Sequence, residues 1–336
     1  MQATDVHLDP AQGAAFRVAS RIQRLPEATI GRDDVERFVE IALDRLTRAR
    51  LDKLGVADAL YTDGEVGALR VHASRGGRGH RLAIRLLARS VPELASLRLP
   101  PIVTSFSEYR YGLVLVCGPS GSGKTTTVAS LLQRANESSA RHLVTLEAPI
   151  EHVLAWDASV VTQYEVGRDV ASYAHGVRGA MRADPDVIFI GELSDADAAA
   201  ACLQAAERGH LVIGALDSPP DAPLALNRLA GMFPVEEQQR ARNRLAENLR
   251  AVLALRLVPA RDGSGLRPAA EILVSNDAVR RVLRDGALHQ LRSLIAANRK
   301  IGMQTLEANL ADMVAAGEVD LDVARALALY PEEIRS

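Results

Sequence analysis

With 336 residues, 48% of them hydrophobic and 24% charged, the chain has the balance of a folded globular protein and the length for roughly two domains. A formal net charge of −2 excludes a global basic field for nucleic acid or anionic lipid. Two cysteines, Cys117 and Cys202, exclude a disulfide framework, and their apolar neighbours mark them as buried reduced thiols. The first ten residues lack a basic region followed by an apolar core, so no signal peptide is expected. No apolar run approaches the ~18 residues that span a bilayer. The expected location is cytoplasmic, with no direct membrane insertion.

Residues 1–97 read as a small α+β unit. Ala15–Val18 forms a short strand, and Asp33 or Asp34 caps a helix running to about Leu54. Ala57–Thr62, Gly67–Ala73 and Leu82–Ala88 follow as strands, the last two joined by a long loop over Ser74–Gly79. Pro92, Pro100 and Pro101 punctuate a stretch read as a linker, residues 98–110. From Tyr111 the texture changes. Leu113–Cys117, Leu143–Glu147, Val187–Ile190 and Leu211–Leu216 are continuous apolar runs, suited to parallel strands covered on both faces. Helices are expected between them at Thr125–Ala135, Ser172–Arg182 and Asp195–Arg208. This is the pattern of a nucleotide-binding α/β domain, residues 111–290, with ligand at the carboxyl ends of the strands. After about Asp221 the chain reads as mostly helical. Val235–Val258 is one long amphipathic stretch, Asp262–Gly265 a hairpin tip, and Thr305–Ala316 and Asp322–Leu329 are shorter helices; residues 291–336 form a C-terminal helical region.

The most specific motif is Gly118-Pro119-Ser120-Gly121-Ser122-Gly123-Lys124-Thr125, which fits G-x-x-x-x-G-K-[ST]. It follows a strand and opens a helix, as a phosphate-binding loop requires. Its glycines let backbone N–H groups converge on phosphate oxygens, and the helix start adds the positive end of a dipole. Lys124 is expected to reach the β- and γ-phosphates of ATP, the Thr125 hydroxyl to hold Mg²⁺, and Thr126 to complete the nucleotide-binding set.

Further acids stand at the ends of predicted strands. Glu192, after Val187–Ile190, is placed to orient or deprotonate the attacking water. Glu147 could position Mg²⁺ or water, and Glu151 less directly; solvated loop charges are the competing reading for both. His210 enters the Leu211–Leu216 strand and Asp217 leaves it; a structural histidine is the alternative for His210.

Together these motifs resemble the hexameric ATPases of type II secretion and type IV pili, most closely the pilus-retraction branch. Ala3–Leu8 resembles A-S-D-L-H-L, Gly67–Val71 resembles G-R-F-R-V, and Gly112–Lys124 follows G-L-V-L-V-T-G-P-T-G-S-G-K. Glu165–Asp169 matches E-V-G-R-D, Asp184–Glu192 matches D-P-D-V-I-L-V-G-E, Ala278–Arg284 resembles A-I-R-N-L-I-R, and Gly302–Leu306 matches G-M-Q-T-L. The resemblance implies a PAS-like N-terminal domain, a RecA-like ATPase domain with C-terminal helices, and a homo-hexamer binding ATP and Mg²⁺. It implies that Arg70 and Arg85 reach the γ-phosphate, with solvated strand arginines as the competing reading. It also implies force passed to a platform protein of the inner membrane, where the hexamer would sit peripherally through protein partners.

Three departures stand out. Ala148 replaces the aspartate of I-E-D-P-I-E, Asp217 replaces the second histidine of the histidine box, and Leu193-Ser194 interrupts G-E-M-R-D. An ionised aspartate accepts hydrogen bonds only and repels phosphate, so Asp217 is expected to ligate Mg²⁺, pair with an arginine, or raise its pKa. The leading expectation is a retraction-type motor. The alternative is a paralogue that binds ATP but turns it over slowly, as a regulatory subunit. Near-neutral charge argues against a nucleic-acid translocase, and two cysteines are too few for the tetracysteine zinc element of assembly motors.

Overall fold

The structure is a computed structural model that describes residues 3–18, 21–25, 30–86 and 90–334. Two compact units divide it: Met1–Ser90 with Pro149–Val153, and Val91–Ala148 with Leu154–Ser336.

The first unit is a six-stranded antiparallel sheet with two helices. Its strands are β1 (Ala3–Asp9), β2 (Gly13–Val18), β3 (Arg21–Leu25), β4 (Val56–Asp63), β5 (Gly67–Gly76) and β6 (Gly79–Leu86), in the order β3-β2-β1-β6-β5-β4. Side chains alternate between its faces. Val71, Leu69, Ile84 and Leu82 pack with Val35, Val39, Leu43 and Leu51 of the helical layer. The expected helix to Leu54 is instead two, α1 (Arg32–Ala42) and α2 (Arg45–Leu54). Leu43 is extended, and the Asp44 carboxylate accepts the Thr47 N–H at 2.8 Å, an N-cap that restarts the helix. The expected long loop over Ser74–Gly79 is also shorter. Pairing continues to Gly76–Gly79, leaving a two-residue turn at Gly77-Arg78. Residues 87–88 of the expected third strand lie outside the described residues. Strands β1 and β3 were not anticipated; β3 is exposed along its length and has no apolar alternation to betray it.

The second unit is a RecA-like α/β domain. Its strands are β7 (Gly112–Gly118), β8 (His142–Glu147), β9 (Val160–Glu165), β10 (Val187–Ile190), β11 (Leu211–Asp217), β12 (Leu249–Pro259) and β13 (Leu266–Val274), in the order β13-β12-β7-β11-β10-β8-β9. All pairings are parallel except the β12–β13 hairpin. Strand β7 is buried along its whole length, as a central strand must be.

Helix α3 (Lys124–Ser138) covers one face of this sheet. On the same face, residues 98–110 supply the 3₁₀ helix Pro101–Ser107 and bury Val103 and Phe106. The other face is covered by α4 (Tyr173–Ala180), α5 (Ala196–Glu207), α6 (Ala222–Gly231), α7 (Gln238–Asn248), α8 (Asp277–Asp285) and α9 (Leu291–Ala297). Helices α10 (Leu306–Ala315) and α11 (Leu321–Leu327) close a small C-terminal core against Val258 and Ala269.

One expectation is overturned here. The helical reading of Val235–Val258 holds only through Asn248; Leu249–Pro259 is strand β12, lying between β7 and β13. Its Leu, Ala and Arg residues favour helix locally, but an apolar run buried on both faces carries no period to separate helix from strand. Both cysteines are buried and free, their thiols pushed up by burial. Among the described residues no helix is long and apolar enough to cross a membrane.

Candidate active site

The parallel strands end side by side at one edge of the sheet. Strand β7 ends in the phosphate loop, its neighbour β11 in Asp217, the next strand β10 in Gly191-Glu192, and β8 beyond it in Glu147. At ~4.8 Å per strand, β10 lies roughly 10 Å and β8 roughly 14 Å from β7. The topology therefore ranks the acids by distance from the loop: Asp217, then Glu192, then Glu147.

The loop has the backbone its motif demands. Gly118, Gly121 and Gly123 all adopt positive φ, at 149°, 76° and 91°. A Cβ on Gly118 would stand 2.4 Å from the Leu255 carbonyl oxygen and 2.5 Å from Ser122 Oγ, so no larger residue fits. Helix α3 begins at Lys124 with no side-chain cap, leaving its first N–H groups to an anion. The exposed Pro119, Ser120 and Gly121 form the rim of the loop, while Ser122 Oγ is buried with no hydrogen-bond partner among the described residues. Thr125 and Thr126 lie in the first turn of α3 and are partly exposed. No three His, Cys, Asp or Glu side chains gather as a metal cage among the described residues. A Mg²⁺ bound here would rest on the Thr125 hydroxyl together with substrate phosphates and water.

Lys124 is occupied. Its Nζ donates to the Gly118 carbonyl at 2.9 Å and the Pro119 carbonyl at 3.1 Å, and it pairs with Asp217 Oδ1 at 2.5 Å. An ammonium has three donors, and three partners satisfy them. Of the expected partners the arginine is not the one found: Asp217 pairs with the lysine of the phosphate loop itself. The β11–β7 register places Asp217 opposite Gly118, which brings the two together. His210, at the other end of β11, bonds the Pro185 carbonyl at 2.7 Å, the structural alternative.

The remaining acids differ from one another. Glu192 is exposed beyond the end of β10. Gly191 ahead of it packs so tightly that a Cβ would meet the Leu146 carbonyl oxygen at 3.0 Å. Glu147 is buried, and its Oε1 accepts from Thr145 Oγ1 at 2.7 Å and Gln163 Nε2 at 3.1 Å. Tyr173, not anticipated from sequence, joins these acids. Burial, then the charges of Glu192 and Glu147, push its hydroxyl well above the usual tyrosine range. Nothing local distinguishes Tyr173 from an ordinary core aromatic at the start of α4.

The segment after Asp217 is pinned from below. The Glu271 carboxylate on β13 accepts the Ala222 N–H at 2.7 Å at the start of α6, and Asp221 caps the same helix through Leu224. Glu271 is 1% exposed, and burial pushes its pKa up to about 8 from the ordinary 4.5, outweighing the Ala222 hydrogen bond and the Arg292 guanidinium 4.0 Å away. Folded protein holds this proton up to about pH 8, whereas the unfolded chain releases it near 4.5. Unfolding therefore releases a proton across that window, and stability falls as pH rises through it. Glu271→Gln is expected to flatten this slope, measured as the difference in Tm between about pH 5 and about pH 8.

In the first unit, Arg70 and Arg85 face each other directly across β5 and β6. Arg85 Nε donates to Asp5 Oδ1 at 2.8 Å. The Arg70 side chain has no hydrogen bond or ion pair among the described residues, so of the two it is the cation left to meet an outside anion. Like charges directly opposite on a sheet disfavour each other, which sharpens that demand.

Comparison with known proteins agrees with this geometry. Residues 76–265, more than half of the chain, match the family of type II/IV secretion system proteins. A twitching motility protein of Neisseria gonorrhoeae is 33% identical over 95% of this chain and 85% of its own length. The type IV pilus retraction ATPase PilT of Pseudomonas aeruginosa is 32% identical over 98% of this chain and 95% of its own. The crystal structure of the pilus retraction motor PilT with bound ADP superposes with a TM-score of 0.90 at 33% identity, covering 98% of this chain and 94% of that one.

Proposed function

Because the chain belongs to the family of type II/IV secretion system proteins, we propose that it is an ATP-hydrolysing motor of the pilus-retraction type. The observation that supports this reading most is the phosphate loop, with its three positive-φ glycines, at the end of a buried central strand. The loop and the start of α3 bind the phosphates, and Lys124 neutralises them. Thr125 would contribute the hydroxyl that holds Mg²⁺, whose charge would offset that of the phosphates. Glu192 orients and deprotonates the attacking water, with Glu147 and Tyr173 fixing the surroundings of its carboxylate. Arg70 supplies positive charge to the γ-phosphate, and Arg85, anchored by Asp5, sets the strand beside it. The working assembly is a homo-hexamer, held at the inner membrane by a platform protein.

A second reading is favoured by one observation, the Lys124–Asp217 pair. A loop lysine already neutralised lowers nucleotide affinity and turnover, which suits a regulatory subunit beside a faster motor. Steady-state ATPase of the purified chain separates the two. A motor is expected to hydrolyse ATP at about 1–100 s⁻¹, the order seen for kinases, and a regulatory subunit well below it. Lys124→Ala is expected to abolish ATP–Mg²⁺ binding by calorimetry; unchanged binding would remove both readings.

A further inference from the structure

We propose that the polar face of the first unit's sheet carries a second anion site, one that takes a small phosphorylated molecule. The face opposite α1 and α2 is set out in rows by the strand register. One row runs Arg24–Ala15–His7–Ala83–His72 across β3, β2, β1, β6 and β5. Small residues on both sides of His7 leave a floor, and longer side chains in the flanking rows rise around it. The result is a cavity of about 460 Å³ lined by, among others, His7, Asp9, Arg17, Arg24, His72 and Arg81. That is within the usual range for ligand sites.

Charge and hydrogen bonding point to the occupant. Three guanidinium groups line the cavity; Arg81 pairs Asp9 at 2.8 Å, Arg17 lies 3.8 Å from Asp5 and His72 meets Asp58 at 3.0 Å, so Arg24 is the lining cation left for a ligand. The Arg24 side chain has no hydrogen bond or ion pair among the described residues. His7 Nε2, on the floor, is shielded from solvent and has no hydrogen-bond partner among the described residues. A polar nitrogen left unpaired beneath a basic rim is costly unless something enters to engage it. Guanidinium groups match carboxylate and phosphate oxygens alike in a fork, but a phosphate's greater charge and third acceptor oxygen suit a site where more than one cation converges. The cavity is larger than a free ion needs, so the ligand class is a phosphorylated metabolite rather than inorganic phosphate alone. This site owes nothing to the phosphate loop, and its failure would leave the motor reading untouched.

The test uses the full-length Lys124→Ala chain, in which the phosphate loop is disabled, titrated calorimetrically with pyrophosphate. One saturable site per chain is expected. Arg24→Glu should weaken it at least tenfold, about the value of one charge-assisted contact, and His7→Ala should also weaken it. Arg24 is exposed, so Arg24→Glu in the otherwise natural chain should keep its ATPase rate, which reports that the fold is intact. No saturable binding, or binding indifferent to Arg24→Glu, would overturn the site. Citrate binding as tightly as pyrophosphate would overturn the phosphate assignment.

Discussion

Asp217→Asn is expected to tighten ATP–Mg²⁺ binding about tenfold and to raise ATPase at subsaturating nucleotide by a similar factor. Two terms point the same way. Asparagine releases Lys124 from its ion pair, and because Asp217 is half exposed that pair is worth only ~1 kcal/mol. It also removes a negative charge one strand from the phosphates; at ~6 Å and an effective dielectric of ~20 the repulsion is about 2–3 kcal/mol before salt screening. Part of this is lost to screening, which leaves about 1.4 kcal/mol, or tenfold. Asp217→His is expected to gain more in kcat, because a neutral imidazole can donate a hydrogen bond where the carboxylate cannot. Calorimetric Kd for ATP–Mg²⁺ at two ionic strengths checks the origin: the gain should shrink as salt rises. A variant with unchanged Kd would show that the Lys124–Asp217 pair opens at no net cost, and the regulatory reading would lose its support.

The phosphate loop was legible from sequence because its chemistry is local. Glycine at 118, 121 and 123, a lysine and a hydroxyl must fall at fixed spacing, and buried apolar runs on either side announce strand and helix. Glu192 was legible for the same reason, as an acid at the end of such a run. What could not be read is what depends on strand order. Asp217 stood out as a departure, but that it pairs with Lys124 follows from β11 lying beside β7, and no residue near either position encodes that neighbourhood. Tyr173 meets Glu147 and Glu192 because α4 packs over β8 and β10, again a tertiary fact. The errors in the fold have the same cause. Leu249–Pro259 carries helix-forming residues and becomes a strand because a place in the sheet is open between β7 and β13. The break at Leu43-Asp44 is the exception, since an aspartate three residues ahead of a threonine N–H is a cap visible in sequence.

Glu192→Gln should lower kcat by about 10²–10⁴ while changing the affinity for ATP–Mg²⁺ by no more than about twofold. The isosteric amide keeps the shape and the distance from the loop but cannot accept a proton. Glu192 suits this role because it is exposed beyond β10, two strands from the phosphate loop, free to meet water and a γ-phosphate. Glu147 is the competitor, and the geometry separates the two. It stands one strand farther out, is buried, and spends one carboxylate oxygen on Thr145 and Gln163. Glu147→Gln can keep both bonds through its amide oxygen but buries an NH2 group in place of the second carboxylate oxygen, so its expected cost is about 1–3 kcal/mol of local stability with a lesser loss of kcat. Tyr173→Phe is the companion measurement. Removing a hydroxyl that feels the charge of both acids should change kcat only if Glu192 depends on its surroundings for position. Single-turnover hydrolysis, run beside thermal melts of the three variants, distinguishes chemistry from stability. If Glu147→Gln stops single-turnover hydrolysis at unchanged Tm while Glu192→Gln does not, the proton acceptor is the acid on β8. The ranking of acids by strand distance would then be wrong.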